Sequence, residues 1–349
     1  MKALVAMSGG VDSSVAAGLM KERGHEVIGV TLKLWSGPGG EAPTAGCCTV
    51  SDAEDARRVA GQLDVPYYVL DYTEEFGGGV VERFVSDYAS GRTPNPCIEC
   101  NRTVKFDALL SNLDDFDCDV LVTGHHARIE MGDDGRPVLL RGRDADKDQS
   151  YVLSMLGRAQ LARLRFPVGD LTKTQVRAVA AELGLRTAGK PESMDICFVG
   201  RRDYRSFLRD RAPHAFAPGT IVDTDGRRLG DHDGVAGFTI GQRRGLGVAT
   251  GEPRYVVDID PDTATVVVGT RDRLGVSALQ LSAISWVAEP AMGAVTAQYR
   301  AHGEAVGATL EGSTLIFDTP QEAVAPGQTV SFYRRDEVLG GGLIAAAAA

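Results

Sequence analysis

The segment SGGVDSS, at residues 8–14, contains residue types that bind a phosphate group. Gly9 and Gly10 allow positive φ angles and close approach, and the first amides of a following helix would point, unpaired, into the turn. The helix dipole adds to the attraction for an anion. A glycine turn capped by Ser8 or Asp12 is the simpler alternative. The segment has neither the lysine ending of a Walker P-loop nor a dinucleotide G-x-G-x-x-G pattern, so it predicts another kind of phosphate-binding loop.

Two cysteines, Cys97 and Cys100, form a second group with reactive side chains. Pro94 and Pro96 stiffen the segment before them, and apolar residues at helical spacing follow, so we expect both at a helix N-terminus. In such settings the pKa of a thiol falls to as low as roughly 3.5–7.5. A buried pair of small hydrophobic residues is the alternative.

The remaining cysteines do not complete a simple zinc site, which would need a second pair of ligands. They are Cys47, Cys48, Cys118 and Cys197. Cys47 and Cys48 are adjacent and cannot easily chelate one ion together, so we interpret them as packing residues. A chain of this size, expected in the cytosol, is not predicted to contain structural disulfides, and its clustered cysteines are better interpreted as catalytic or metal-binding.

The elements that must position these groups alternate between strand and helix in the first 200 residues. Apolar runs at residues 2–7, 26–35, 66–72 and 119–123 predict strands, and helical periodicity between them predicts a parallel sheet covered by helices. Two capping-box patterns, Ser51 with Glu54 and Thr172 with Gln175, predict helix starts.

From about Pro218 the pattern changes to short β-rich runs separated by turns. We interpret this part as two small β domains with a boundary near Arg273. The predicted domains are therefore residues 1–200 for catalysis, 201–273 for a mostly β central unit, and 274–349 for a β-barrel. Residues 345–349 are predicted to be a frayed, low-complexity tail.

Composition narrows the class of protein. The 349 residues are 43% hydrophobic, as in a globular core, and contain no apolar run that approaches a membrane span. No secretion signal precedes the first strand, so we expect a cytoplasmic protein. The net charge of −10 argues against indiscriminate nucleic-acid binding. Residues 201–254 nevertheless have a positive balance, and a local basic strip is predicted there at Arg201, Arg202, Arg205, Arg243 and Arg244.

The phosphate-binding segment resembles the PP-loop of ATP pyrophosphatases, and an ordered series of motifs resembles the tRNA-specific 2-thiouridylases. The motifs are SGGVDSS (8–14), GRTPNPCIECN (91–101), TGHHAR (123–128), KDQSY (147–151), RFPVGDLTK (165–173), ICFVG (196–200), TIGQRRGLG (239–247) and APGQTVSFY (325–333). This resemblance implies an α/β fold with an N-terminal parallel-sheet PP-loop domain, similar to adenine nucleotide α-hydrolases, and two small β domains, the last a β-barrel. It also implies 2-thiolation of the wobble uridine in tRNAs for lysine, glutamate and glutamine.

The resemblance further implies roles for particular residues. ATP would be held by Ala6, Met7, Ser8, Gly9, Gly10, Val11, Asp12, Ser13, Leu32 and Gly124. Asp12 is a candidate Mg²⁺ partner, because a carboxylate suits a hard cation. Cys197 would carry a persulfide, supplied by a cysteine desulfurase or a sulphur carrier. Cys100 would attack that persulfide, release the sulphur and close a disulfide with Cys197.

Contacts with tRNA are implied at two places. The segments that would face the base and the tRNA contain Asn95, Pro96, Cys97, His125, Lys147, Asp148 and Gln149, and the anticodon-loop contacts in the last β domain would be Tyr299, Arg300 and Gln328. Some relatives have an aspartate where this chain has Cys97, and that aspartate could act as an acid or base. No residue of this chain is an obvious candidate for that role. Taken alone, His125 could simply donate to a carbonyl, Lys147 and Asp148 could be a solvated turn pair, and Arg300 an exposed charge.

Three alternatives stay open. A PP-loop synthetase or amidotransferase acting on an adenylated carboxylate would share the loop but would not need Cys100 or Cys197. A metal-sensing RNA binder would use the cysteines as ligands and would not cleave ATP. A [4Fe-4S] cluster on Cys97, Cys100 and Cys197 would replace the persulfide route, although the persulfide route needs nothing beyond the motifs present.

Overall fold

The computed structural model describes residues 1–36, 49–191, 196–199 and 203–348. Cys47, Cys48, Arg201 and Arg202, to which the sequence analysis assigned roles, lie outside the described residues. No helix of the described part is long and apolar enough to cross a membrane.

A five-stranded parallel sheet forms the centre of the first 200 residues, as predicted. The strands of this part are β1 (Lys2–Ala6), β2 (Glu26–Lys33), β3 (Tyr67–Asp71), β4 (Val120–Val122), β5 (Ala127–Met131), β6 (Pro137–Arg141) and β7 (Leu164–Arg165). The sheet has the order β3-β2-β1-β4-β7 with every pairing parallel. Alternate residues of β1 face opposite layers: Leu4 belongs to one hydrophobic core, and Ala3 and Val5 belong to the other. Because both faces are covered, β1 and β4 are continuous apolar runs.

Helices cover both faces of this sheet. They are α1 (Val11–Glu22), α2 (Val50–Gln62), α3 (Thr73–Phe76), α4 (Glu82–Ala89), α5 (Pro96–Glu99), α6 (Asp107–Ser111), α7 (Arg158–Ala162), α8 (Lys173–Glu182) and α9 (Tyr204–Arg211). A π-helical segment, Cys100–Phe106, joins α5 to α6 without a break, and a second, Gly77–Val81, joins α3 to α4. Such wide turns are rare and occur frequently at functional sites.

The predicted helix starts are partly confirmed. Thr172 and Gln175 form a capping box, with the Gln175 amide donating to Thr172 Oγ1 over 3.3 Å. The Ser51–Glu54 prediction is wrong, because α2 is capped two residues earlier by Thr49, whose Oγ1 accepts from the Asp52 amide over 3.0 Å.

A small four-stranded sheet follows α9. Its strands are β8 (Gly219–Asp223), β9 (Arg228–His232), β10 (Tyr255–Asp260) and β11 (Thr265–Gly269), in the order β10-β11-β8-β9. Ile221, Val256 and Val266 fill a separate core beneath it.

The last strands form a closed barrel, as predicted. They are β12 (Gly275–Trp286), β13 (Gly293–Gln298), β14 (Val306–Glu311), β15 (Thr314–Glu322), β16 (Thr329–Arg334) and β17 (Glu337–Ala348). The order β12-β15-β14-β13-β16-β17 closes because β17 also pairs with β12. The β5–β6 hairpin of the first region extends this sheet from β17, through the pairing of Leu140 with Glu337.

The predicted frayed tail is wrong as far as residue 348. Ala346, Ala347 and Ala348 pair with Gln280, Leu279 and Ala278 of β12. Strand pairing uses backbone groups, so a side chain as small as alanine does not prevent it when a partner strand is present.

Candidate functional site

The phosphate-binding loop lies where β1 ends and α1 begins. Gly10 precedes α1 with extended backbone angles, and within the described ranges no side chain caps the helix. Its first amides are therefore available to an anion, as the sequence predicted. Gly9 has a φ of +73°, and a Cβ there would lie 2.1 Å from the Asp52 carbonyl oxygen. Only glycine fits, because the loop packs directly against the first turn of α2.

Serine hydroxyls brace the loop from within. Ser13 Oγ accepts from the Ser8 amide over 3.1 Å and lies 3.2 Å from Ser8 Oγ. Ser14 Oγ donates to the Gly10 carbonyl over 2.7 Å. These bonds fix the curvature of the loop, since the Ser8–Ser13 bonds span the glycine pair and the Ser14 bond ties Gly10 to the first turn of α1.

Asp12 is held by two basic side chains from distant parts of the chain. Lys173 Nζ lies 2.9 and 2.8 Å from the two carboxylate oxygens, and His126 Nε2 lies 3.1 Å from Oδ1. Burial raises the pKa of Asp12, but the hydrogen bonds from His126 and Lys173 outweigh it and hold the pKa below its ordinary value. Asp12 is therefore ionised at neutral pH.

A second lysine, Lys190, joins the loop to α2. Its Nζ donates to the Gly9 carbonyl over 3.0 Å, to Asp52 over 2.8 Å and to Asp55 over 2.7 Å. Burial lowers the pKa of Lys190, yet the hydrogen bonds to the two carboxylates outweigh it and raise the pKa above its ordinary value. The motif itself contains no lysine, but the fold brings two lysines to it.

Sequence reasoning missed Lys173, Lys190 and His126. The only signal for Lys173 was its place at the end of the RFPVGDLTK motif, and His126 lies inside TGHHAR. Neither motif says which residue reaches the loop, because the contacts depend on the order of the strands.

The end of β4 closes the other side of the loop. A Cβ on Gly124 would lie 2.5 Å from the Ser13 amide nitrogen. The loop after β1, Leu32 near the end of β2 and Gly124 after β4 thus meet at the carboxyl edge of the sheet, where α/β proteins bind their ligands. This is the arrangement expected for the predicted ATP residues.

The two histidines after Gly124 have different environments. His125 Nδ1 lies 2.7 Å from Thr123 Oγ1, and the ring packs 5.7 Å from Phe106 and 5.8 Å from Phe166. Burial, with the nearby charge of Lys105, lowers the pKa of His125 to about 3, so the ring is neutral. His126 is buried, and its Nδ1 has no hydrogen-bond partner among the residues that the structure describes.

Two of the predicted reactive cysteines, Cys100 and Cys197, lie on one hydrophobic cluster. Cys100 is buried in it, Cys197 packs against it, and Cys97 is exposed. Asn95 caps the helix by accepting from the Cys97 amide over 3.2 Å, so the predicted helix start before Cys100 is confirmed. Cys100 and Cys197 are thiols, not joined in a disulfide.

Phe198 anchors the segment that contains Cys197. Its ring lies 5.0 Å from Phe84, 5.7 Å from Phe76, 5.3 Å from Phe207 and 6.2 Å from Trp35. Each such ring pair contributes about 0.5–1.5 kcal/mol beyond its buried area. Cys197 is thus tethered next to a cluster of aromatic rings.

A three-cysteine cluster site is not assembled. In the part of the chain that the structure describes, which includes Cys97, Cys100 and Cys197, no three His, Cys, Asp or Glu side chains form a group that could hold a metal ion. The described residues therefore present no assembled set of ligands for a [4Fe-4S] cluster.

Several residues predicted to contact tRNA make contacts within the protein. Asp148 accepts from Arg141 Nη1, the Gly142 amide and Ser150 Oγ at 2.9, 2.9 and 2.8 Å. The His126 amide donates to Gln149 Oε1, and the Gln149 amide donates to the His126 carbonyl, each over 2.9 Å. These contacts fix the shape of the segment 147–151.

The barrel supports the other predicted tRNA segments. Gln328 Nε2 donates to the Thr93 carbonyl over 2.6 Å, so it supports the segment that leads to Asn95 and Pro96. Tyr299 donates to Gln321 over 3.1 Å, and the Arg300 guanidinium lies 4.9 Å from the Tyr299 ring centre.

Gln298 connects the barrel to the segment 147–151. Its Oε1 accepts from Arg141 Nη1 and from Tyr333 OH, each over 3.3 Å. Its Nε2 donates to the carbonyls of Arg300 and Ala301 over 3.0 and 3.3 Å. A continuous chain of polar contacts therefore runs from Asp148 through Arg141 and Gln298 to Arg300.

Models of known protein families match the chain over most of its length. Family models match as the tRNA methyl transferase HUP domain at residues 1–201, the tRNA methyl transferase PRC-barrel domain at 205–270 and the aminomethyltransferase beta-barrel domain at 276–344. These descriptions mention methyl transfer, whereas similar full-length proteins have names that specify thiolation.

Three relatives with the name tRNA-specific 2-thiouridylase MnmA illustrate this. The protein of Roseiflexus sp. (strain RS-1) is 48% identical over 99% of both chains. That of Chloroflexus aurantiacus (strain ATCC 29366 / DSM 635 / J-10-fl) is 48% identical over 98% of both chains. That of Geobacter metallireducens (strain ATCC 53774 / DSM 7210 / GS-15) is 47% identical over 99% of this chain and 96% of its own. A solved 4-thiouridine synthetase–RNA complex with bound ATP aligns with a TM-score of 0.39 and 18% identity over 61% of this chain and 50% of that one, a likeness too weak to carry an argument.

Proposed function

Since the chain belongs to the family of tRNA-specific 2-thiouridylases, we propose that it is a tRNA-uridine 2-sulfurtransferase that uses ATP to exchange the C2 oxygen of the wobble uridine for sulphur. The observation that carries this proposal is the likeness to these enzymes over almost the whole length of both chains. The uncapped loop at the start of α1 supports the use of ATP. The proposed acceptors are the tRNAs for lysine, glutamate and glutamine.

Activation of the uridine is the first step. The C2 oxygen attacks the α-phosphorus of ATP, the bond to pyrophosphate breaks, and the N3 proton leaves, which gives a uridine joined to AMP through O2. Loop amides and Lys173 beside them are suited to hold pyrophosphate as it departs, while Lys190 fixes the loop through the Gly9 carbonyl. Such preorganised donors stabilise charge that develops on the leaving group.

Asp12 fits a magnesium ion shared with the phosphates. Mg²⁺ is bound in many ATP sites by one or two carboxylates together with phosphate oxygens. The Asp12 side chain is ionised, partly exposed and placed at the loop. Asp12 would hold such an ion, which would neutralise phosphate charge, and Lys173 would exchange Asp12 for a phosphate oxygen.

Sulphur transfer follows. Cys197 carries an outer sulphur as a persulfide, received from a cysteine desulfurase or a sulphur carrier. The Cys100 thiolate attacks Cys197 Sγ, the bond to the outer sulphur breaks, and that sulphur bonds to C2 while AMP leaves. A disulfide between Cys100 and Cys197 remains, and a thiol reductant opens it for the next cycle. The packing of both cysteines on one cluster supports this proposal.

The test combines tRNA, Mg·ATP and a sulphur donor with variants of the cysteines. We expect AMP, pyrophosphate and 2-thiouridine as products, detected by nucleotide chromatography and mass analysis of the digested tRNA. Cys197→Ser and Cys100→Ser should each abolish thiolation, while Cys97→Ser, which changes an exposed thiol, should retain most of it.

Two outcomes would contradict the proposal. Release of ADP in place of AMP would exclude attack at the α-phosphorus. Full activity after both Cys100 and Cys197 are changed to serine would favour an amide-forming synthetase, which needs neither thiol.

A further inference from the structure

Helix α9 displays three arginines whose guanidinium groups stack on aromatic rings. Arg205 lies 5.8 Å from the Tyr204 ring centre, Arg209 lies 4.9 Å from Phe216, and Arg211 lies 5.0 Å from Trp35. Arg209 and Arg211 are exposed, and Arg205 is partly exposed. The three positions span roughly 9 Å along the helix at about 1.5 Å per residue.

These arginines lack the carboxylate partners that other exposed arginines have. Arg58, Arg228 and Arg271 are ion-paired at distances of 3.2, 2.6 and 2.9 Å. Within the described ranges, no ion pair joins any of the three α9 arginines to a carboxylate, and Arg205 Nε is buried without a hydrogen-bond partner. In a chain with a net charge of −10, carboxylates are abundant, so these three arginines remain unpaired in the described part of the chain although potential partners are common.

Stacking holds a guanidinium in place without using its donors. A ring covers one face of the planar group, and the N–H bonds point outward in its plane. That geometry matches the oxygens of a phosphate, which accept two parallel hydrogen bonds from one arginine. Prior stacking also reduces the side-chain entropy that binding would remove.

The place of α9 connects these arginines to the proposed chemistry. Phe207 of α9 packs 5.3 Å from Phe198, the residue after Cys197. Arg211 stacks on Trp35, which also packs on Phe198 at 6.2 Å. A groove of about 560 Å³ beside the helix is lined on one side by Arg211 and His214 and on the other by α4 residues that include Glu82 and Ser86. A ligand on α9 would therefore lie next to the segment that contains Cys197.

We propose that α9 binds successive phosphates of the tRNA backbone through Arg205, Arg209 and Arg211. This inference rests on the proposed function, since it assigns a docking surface to its RNA substrate. The helix then has two tasks: Phe207, through Phe198, holds Cys197 in place, and the arginines position the tRNA relative to that cysteine.

The test replaces all three arginines with glutamine and compares the variant with a matched control. The control, Arg57→Gln with Arg58→Gln and Arg136→Gln, removes the same charge from exposed arginines that are ion-paired. Binding of unmodified tRNA is measured against salt concentration. Each lost phosphate contact lowers the slope of log affinity against log salt by about 0.7–0.9, so the α9 variant should have a slope shallower by about 2–3 and an affinity roughly 100-fold lower at 0.1 M salt. The control should keep the wild-type slope.

Further measurements separate the possible failures. At low salt and saturating tRNA the α9 variant should still form AMP, which shows that the fold and the ATP site are intact. The single variant Arg209→Gln, at an exposed position, should change the slope by about 0.7–0.9 if the triple variant does not fold. An unchanged slope in both variants would overturn the proposal.

A protein partner is the competing outcome. If α9 docks the sulphur donor instead, the triple variant would bind tRNA normally, lose thiolation with a cysteine desulfurase, and keep thiolation when inorganic sulphide supplies the sulphur. That result would overturn the RNA assignment while leaving the thiolation reaction itself established. Absence of thiolation by the wild-type protein under every donor would instead count against the proposed function.

Discussion

At the scale of single residues, the protonation state of Asp12 depends on its basic neighbours. Lys173 reaches it from the first turn of α8 and His126 from the segment after β4. Both basic groups keep the carboxylate ionised, and both are near the loop where phosphates would bind. Lys173 therefore has two alternative partners, the carboxylate of Asp12 and an incoming phosphate.

Lys173→Met should slow ATP cleavage by roughly 10-fold to 150-fold, which corresponds to the loss of about 1.5–3 kcal/mol for a charge-assisted hydrogen bond. Affinity for tRNA should change little. Because Lys173 lowers the pKa of Asp12, its loss raises that pKa, and the acid limb of the activity profile should move to higher pH. Initial rates of AMP formation between pH 5 and 8 would check both effects.

Lys33→Met is the matched control for this substitution. Lys33 also pairs with a carboxylate, that of Asp71 at 2.8 Å, but both side chains are largely exposed at the end of neighbouring strands. Its removal should leave the rate and the pH profile unchanged. Equal losses of ATP cleavage in the two variants would mean that Lys173 contributes only its positive charge and not its specific contact with Asp12.

At the scale of elements, the sequence predicted the parts that depend on local patterns. The strands β1 to β4, the Thr172 cap and the helix start before Cys100 follow from apolar runs, capping residues and Pro96. The π-helical segment Cys100–Phe106 was not predicted, because wide turns depend on how a helix packs and not on residue type alone.

Long-range contacts explain the remaining misses. Residues 49–54 contain two overlapping capping patterns, and the structure uses the one whose Asp52 also binds Lys190. The lysines of the site come from sequence positions far from the loop, so no motif of fixed spacing contains them. The final strand needs β12 beside it, which composition alone could not reveal.

Gly124→Ala should disturb the phosphate-binding loop from the neighbouring strand end. The added Cβ would lie 2.5 Å from the Ser13 amide nitrogen, so backbone must move. We expect ATP cleavage to fall more than about 10-fold and the free energy of unfolding to fall by about 1–3 kcal/mol, as for other overpacked sites. Denaturant unfolding and AMP formation would measure the two effects.

Gly61→Ala provides the comparison, since a Cβ at this position in α2 meets nothing within 4 Å. It should leave ATP cleavage intact and slightly stabilise the helix, by roughly 0.5–1 kcal/mol. Normal ATP cleavage by Gly124→Ala would show that the loop does not need its contact with the end of β4.

At the scale of the whole molecule, the barrel is joined to the catalytic region by buried polar groups. Tyr151 donates to the Thr329 carbonyl over 2.8 Å, Ser331 donates to Ser154 over 2.7 Å, and Gln298 completes the connection to Arg300. Two segments proposed to contact tRNA, 147–149 and 299–300, are therefore supported by one network. Buried networks of this kind hold a defined geometry only when every member is paired.

Gln298→Leu should separate these two segments. It leaves the Arg300 carbonyl and the Tyr333 hydroxyl with fewer partners, at a cost of about 1–3 kcal/mol for unsatisfied buried groups. We expect KM for tRNA to rise while the rate of AMP formation at saturating tRNA changes little. In a double-mutant cycle with Asp148→Asn, the coupling energy should be about 0.5–3 kcal/mol.

Gln280→Leu is the control on the exposed face of the barrel, where Gln280 Nε2 bonds Ser313 Oγ over 2.7 Å. It should not affect KM for tRNA. Strict additivity of Gln298→Leu and Asp148→Asn would show that the two segments act independently.

The pairing of Leu140 with Glu337 has a consequence for synthesis on the ribosome. The β5–β6 hairpin emerges roughly 200 residues before the strand beside which it lies, and at about 5–20 residues per second this interval lasts on the order of 10–40 s. During that time the hairpin has an open edge, which is a template for pairing with other nascent chains. Pairing with β17 ends this exposure. The rate of translation therefore sets how long a chaperone would need to shield the incomplete catalytic region.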